Sequence, residues 1–139
     1  MAKESGLGIT TLSIDDSAGT QQAVKNDITN FAVNTPRAIQ DVTGIDKSGM
    51  ERLHLLADGS LNITYVFNDV ATVGIFTVLK NYATLAASQF GRTTTLTVSG
   101  QTLAMELLYE DFPLTRGADG SLTGSTTGHL ADGTAPAWS

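Results

Sequence analysis

The sequence has no cysteine. That excludes a disulfide framework, a thiolate metal site and a cysteine nucleophile. Charge is sparse: 16% of the 139 residues are charged, and 14 Asp+Glu against 8 Lys+Arg leave a net charge of −6. An acidic chain is poorly suited to gripping nucleic acid by its phosphates, although it suits a protein that lies near DNA without adhering. Long apolar runs are also missing. The longest, Val70 to Leu79, is broken by Thr72, Gly74 and Thr77 and falls short of the ~20 residues of a membrane-spanning helix. Met1-Ala2-Lys3-Glu4-Ser5-Gly6 lacks the apolar stretch of a signal peptide. The expectation is a chain that folds in a cell interior and does not insert into a membrane.

Catalytic constellations are missing too. His54 and His129 lie in separate segments without paired-ligand spacing, so no metal site is expected. The neighbours Asp15-Asp16 and Glu110-Asp111 would point to opposite faces of a strand and cannot flank one bond. Neither a Gly-x-Ser-x-Gly elbow nor a phosphate loop occurs, and Gly117–Gly124 reads as a turn. Asn62-Ile63-Thr64 is a formal glycosylation sequon, idle without secretion. The sequence therefore predicts no enzyme and no cofactor.

What the chain does have is a rhythm of two. Leu61, Ile63, Tyr65 and Phe67 alternate with Ser60, Asn62, Thr64 and Val66, and Thr94, Leu96 and Val98 alternate with Thr93, Thr95 and Thr97. Leu103, Met105, Leu107 and Tyr109 share one face opposite Thr102, Ala104, Glu106, Leu108 and Glu110. This is the pattern of strands with one buried face. Weaker alternation runs through residues 9–14, 28–33, 51–57 and 121–130, and a short strand is expected at 21–24. Asp58-Gly59 and Asp119-Gly120 predict tight hairpins between alternating runs, and Asp16-Ser17-Ala18-Gly19 predicts a turn. Between Asp69 and Tyr82, Val73, Phe76 and Leu79 recur at spacing three, predicting one helix of two to three turns capped by Asn68 or Asp69. Residues 83–91 read either as more helix or as loop.

The whole predicts one domain over residues 1–139. It is all-β, a β-sandwich or partly closed barrel of seven to eight strands, with one short flanking helix. Its exposed strand faces carry hydroxyl ladders, Thr93/Thr95/Thr97 and Ser121/Thr123/Ser125/Thr127, where Lys and Glu are the more usual guards. Either β-propensity alone explains them, or something packs closely on this surface or slides past it. Residues 34–49 read as a long polar loop, and loops of that length are uncommon unless functional. A segment that orders against a partner is favoured over an idle surface loop. In the C-terminal tail, 134–139, Trp138 is an anchor candidate whose docking site is left open.

Two stretches carry a resemblance. Residues 27–69 include Asp-Val-Thr-Gly-Ile-Asp-Lys-Ser followed by Glu-Arg-Leu, and residues 93–139 close with Leu-Ala-Asp-Gly-Thr-Ala-Pro-Ala-Trp-Ser. Together they resemble the major tail tube proteins of long flexible-tailed, siphovirus-type bacteriophages, especially those infecting actinobacteria. The resemblance implies a non-enzymatic virion protein, assembled in the host cytoplasm into hexameric rings that stack into a hollow tail tube. Its implied partners are further copies of itself, a tape-measure protein in the lumen, and tail-tip and tail-terminator proteins. DNA passes through the lumen to the host without specific binding. Within that frame the 34–49 segment becomes an inter-subunit loop, with Pro36, Arg37, Asp41, Asp46 and Lys47 as its contact candidates. Glu106 and Glu110, on one face of a strand, become the candidate acidic residues of the lumen. The alternatives are a β-sandwich decoration module binding host carbohydrate, a tail-terminator protein that forms rings without polymerising, and a small hydrolase. The first of these usually gathers exposed aromatics, and this chain has only five Phe, three Tyr and one Trp.

Overall fold

The computed structural model describes residue 3 and residues 5–84 and 91–139. The alternating segments form strands β1 (Ile9–Asp15), β2 (Gln21–Ala23), β3 (Ile28–Asn34), β4 (Arg37–Asp41), β5 (Arg52–Ala57), β6 (Ser60–Val66), β7 (Arg92–Val98), β8 (Gln101–Tyr109), β9 (Thr115–Arg116) and β10 (Leu122–Leu130). Eight of them make one antiparallel sheet in the order β2-β1-β7-β8-β10-β6-β3, with β9 on β10, while β4 and β5 form a separate two-stranded hairpin. The bend in the sheet lies between β8 and β10, where only Leu107–Tyr109 pairs with Gly128–Leu130. Beyond it the sheet folds back on itself. Leu12, Ile14 and Leu96 from one wing then meet Leu61, Ile63 and Tyr65 from the other in a single core, which also takes Leu103, Met105, Leu107 and Tyr109. The barrel stays open between the edge strands β2 and β3.

The Asp16–Gly19 turn forms as expected. Asp16 Oδ1 accepts from the N–H groups of Ala18 and Thr20 at 2.9 and 3.0 Å, and Gly19 supplies φ +84°. The Asp58-Gly59 expectation is corrected. β5 pairs with β4, and β6 pairs with β3 and β10, so the dipeptide is a corner between two sheets. Glycine is needed there for proximity, since a Cβ would stand 2.9 Å from Met105 Sδ and 3.2 Å from Pro136 Cγ. Asp119-Gly120 does turn a hairpin, but between β10 and the short β9 rather than the Leu103 strand.

The helix is shorter than its periodicity suggests. α1 spans Ile75–Leu79, with Gly74 extended at its N-cap and Thr72 at φ +75°. Asn68 caps a turn at Val70 N–H instead. The buried side chains are Ile75, Val78 and Leu79, while Val73 is exposed. The physical reason lies outside the segment: the buried Asp27, just before β3, docks the helix. Its Oδ2 accepts from Ile75 N–H at 3.0 Å and its Oδ1 from Asn68 Nδ2 at 2.8 Å. Asp27→Ala strands a buried N–H, so unfolding free energy is expected to drop by about 2 kcal/mol. Chemical denaturation checks this, and an unchanged midpoint contradicts it.

Aromatic rings seal the same end of the core. Tyr65 stacks on Phe112 at 4.7 Å and donates to Pro113 O at 2.6 Å. Phe67 lies 4.9 Å from Phe76, and Tyr82 meets Tyr109 edge-on at 6.4 Å. Burial, with the Asp111 charge second, pushes Tyr65 up from 10.0 to about 12. Burial also raises Tyr109 and Tyr82. A folded value above the unfolded one favours the neutral phenol in the folded state. The stabilisation is therefore complete below pH 10 and fades as pH climbs toward 12. Phenolate absorbance in the native protein is expected to lag behind that in denaturant, with melting temperature falling across the same window. Coincident titrations contradict this.

Candidate functional site

Among the described residues, no cluster of three or more His, Cys, Asp or Glu is placed to hold a metal. The unusual surfaces are a projecting hairpin and two polar sheet faces.

The segment expected to be a long loop contains β4, which pairs with β5 through Ile39–His54, Gln40–Leu53 and Asp41–Arg52. The structure corrects the loop to a hairpin arm because the strand pattern of 51–57 finds its partner inside 34–49. All of β4, and all of β5 but Ala57, is exposed. A lone two-stranded hairpin is marginal in water, yet this one carries Ile39, Val42, Ile45, Met50, Leu53, Leu55 and Leu56 on exposed positions, with Ile45 fully accessible. Chain reversal at the tip is organised by Asp41 and Thr43. Thr43 Oγ1 and N–H donate to Asp41 Oδ1 at 2.6 and 3.0 Å, and those bonds, the hydroxyl first, hold the Asp41 carboxyl below its usual value.

All five loop candidates thus fall on one element. Pro36 accepts from Asp58 N–H at 2.9 Å at the root, and Arg37 Nε donates to Leu55 O at 2.9 Å. Lys47 Nζ lies 3.9 Å from Asp46 and 3.7 Å from Glu51, exposed pairs worth little on their own. What sequence reasoning missed is the apolar content of the arm. Leu53, Leu55 and Leu56 within 51–57, with Val42, Ile45 and Met50 before them, are the available signal.

The wing β3-β6-β10 contains no Asp, Glu, Lys or Arg. Its outward rows are Ser125–Thr64–Asn30, Thr127–Asn62–Ala32 and His129–Ser60–Asn34. Asn62 Nδ2 donates to Thr127 Oγ1 at 2.8 Å across the first pair of strands. The other wing presents Thr11–Thr97–Thr102 and Thr95–Ala104, with the buried Ser13 opposite Thr95. Glu106 sits beside them, half-buried, accepting from Thr93 Oγ1 at 2.6 Å. Burial, with Glu106 among its neighbours, raises Asp15 above its usual value. Glu110 lies just past the end of β8, exposed, 3.4 Å from His129 Nε2. The two glutamates are therefore not equivalent, one held in the sheet face and the other at its rim.

Trp138 docks on its own chain. It bridges Leu103, and Ser139 exchanges backbone bonds of 2.8 and 2.9 Å with Thr102. The tail thereby covers the stretch of β8 edge that β10 leaves unpaired, with the indole half exposed.

No family model matches the sequence, and no curated protein matches it. Solved structures do. The fold is similar to that of a chain in the virion of a native gene transfer agent particle, with TM-score 0.70 and 12% identity over 99% of both chains. It is also similar to that of a chain in the tail of an empty gene transfer agent particle, computed with helical refinement and C6 symmetry. There the TM-score is 0.72 at 12% identity, over 99% of this chain and 98% of that one. At such identity the likeness establishes the fold: a mainly β, open eight-stranded sheet with one short helix, as found in a phage-like tail.

Proposed function

We propose that this protein is a non-enzymatic tail tube protein of a siphovirus-type phage or phage-like particle. In this reading it self-assembles in the host cytoplasm into stacked hexameric rings, and their lumen holds a tape-measure protein during assembly and later conducts DNA. The observation that carries this reading is the hairpin, an apolar arm exposed along its length on a chain whose fold is that of a C6 tail component. The accessible surface of 8507 Å² is about a fifth larger than the roughly 6,900 Å² expected for a monomeric protein of 14.6 kDa. That surplus is surface available to neighbours. Open edges at β2 and β3 would be paired when copies join, removing an aggregation hazard. Tail-tip and tail-terminator proteins would cap the two ends.

The polar wings suit a conduit. Six copies multiply the charge of −6, and like charge repels a passing polyanion while short neutral hydroxyls offer few strong grips. The carbohydrate-module alternative fits less well. Tyr65, Phe67, Phe76, Tyr82, Tyr109 and Phe112 pack on one another, whereas a sugar platform needs rings free to face the ligand.

Light scattering of concentrated protein tests the assembly. Growth to particles of many subunits is expected, and an unchanging single-subunit mass contradicts it. In assembled particles, Glu106→Lys combined with Glu110→Lys is expected to leave assembly intact and slow genome ejection several-fold. Ejection at the unaltered rate would place both residues away from the lumen.

A further inference from the structure

The arm needs a receiving surface, and the fold offers a candidate between β1 and β3. β2 pairs only with Ser13–Asp15 of β1. This leaves the first half of β1 facing β3 across a gap in the barrel. The gap is a groove of about 440 Å³ lined by Leu7, Ile9, Leu12, Ile28 and Phe31, with Lys25 as its charged lining residue. Leu7 is almost wholly exposed at its mouth. The groove is open, with apolar side chains set beside the polar Thr29 and Asn30, and is flanked by β3, which has no strand on its other side among the described residues.

Three features match the groove to the arm. First, the tip brings Val42, Ile45 and Met50, all exposed, to an apolar lining. Second, the tip segment 41–51 holds Asp41, Asp46 and Glu51 against Lys47, a net negative charge facing Lys25. Third, arm and groove are separate surfaces of the chain, so the tip of one copy can fill the groove of another. β3 runs from Ile28, in the groove lining, to Asn34, three residues before β4 begins at Arg37. Ile28 and the root of the arm therefore sit at opposite ends of one strand, roughly 20 Å apart at strand rise. A contact between unlike surfaces is heterologous and propagates from copy to copy.

We propose that the hairpin tip of one copy, led by Ile45, seats in the β1–β3 groove of a second copy of this chain. The inference rests on the tube reading and adds the receiving surface to it. Binding would remove Ile45 and Leu7 from water together and place the tip carboxylates beside Lys25.

The absence of native cysteine makes the test clean. Ile45→Cys and Leu7→Cys are introduced together, both at exposed positions that carry no core packing. The variant is concentrated under assembly conditions and treated with a short bis-maleimide. Covalent multimers extending past the trimer are expected on a denaturing gel. Each single variant, and the pair Ile45→Cys with Leu122→Cys, is expected to stop at dimer. Assembled protein that gives no ladder with the Leu7 pair, or an equal ladder with the Leu122 pair, overturns the socket and leaves the tube reading standing. Unaltered protein that never assembles overturns the tube reading itself, and the socket with it.

Discussion

Replacing residues 41–52 by Asn-Gly is expected to abolish tube formation while leaving the subunit folded. Gln40 and Leu53 stand directly opposite each other in the hairpin ladder, so a two-residue turn closes the shortened arm without strain. The excised tip lies wholly outside the core. Its loss should therefore leave unfolding free energy within about 0.5 kcal/mol of the parent, as for surface changes generally. Assembly should fall below detection, because the apolar knob is gone. Electron microscopy and a thermal melt read the two halves of the result separately. Tubes of normal length from the shortened chain would overturn the arm's role, and loss of the melting transition would move it into the fold.

The largest stability effect is expected at Arg92. Its side chain is buried at the start of β7, donating through Nη1 to Asp15 O and Val78 O, each at 2.8 Å. Its guanidinium stands 5.1 Å from the centre of the Tyr82 ring. One cation thus joins β1, α1 and the aromatic seal. Desolvation lowers its pKa, with nearby Tyr82, Asp16 and Asp15 pulling the other way, and an arginine still remains charged at any ordinary pH. Arg92→Met keeps the aliphatic stem and removes the charge-assisted bonds. The buried Val78 carbonyl and the part-buried Asp15 carbonyl then lose their donor, so a cost of about 3 kcal/mol is expected. Arg92→Lys, lacking the planar fork, should recover only part of it. Chemical denaturation measures both, and a methionine variant as stable as the parent contradicts this account.

The strands were legible because one of their faces is buried. Leu61, Ile63 and Tyr65, like Leu103, Met105, Leu107 and Tyr109, are all in the core, as a period of two requires. Partners were less legible, since alternation gives a strand's face and not its neighbour. Asp58-Gly59 reads as a hairpin because the dipeptide tolerates a sharp turn, whereas β5 pairs back onto β4 and β6 turns away to pair with β3 and β10, a choice of partner that alternation does not encode. The helix was over-extended for a related reason: its start is set by Asp27, more than forty residues away in sequence. Gly124 carries no sequence signal at all, yet a Cβ there would overlap the Pro113 carbonyl oxygen.

For the site, the five candidates of the 34–49 segment do converge on the arm. The apolar residues that dominate it are masked in the sequence by the polar residues and glycines around them. Glu106 and Glu110 share an outward side of the chain, but the sequence could not reveal that Thr93 holds one of them. The sequence leaves Trp138 open between its own core and a neighbour, and the bridge to Leu103, with Ser139 bonded to Thr102, sets it on its own β8. The stretch 83–91, ambiguous in sequence, falls largely outside the described residues.

Negative-stain electron microscopy of the purified chain, concentrated and aged at several temperatures, tests the central claim most directly. Hollow tubes or six-fold rings, with a lumen wide enough for duplex DNA, are the expected result. Uniform single particles of subunit size under every condition would contradict self-assembly into a tube.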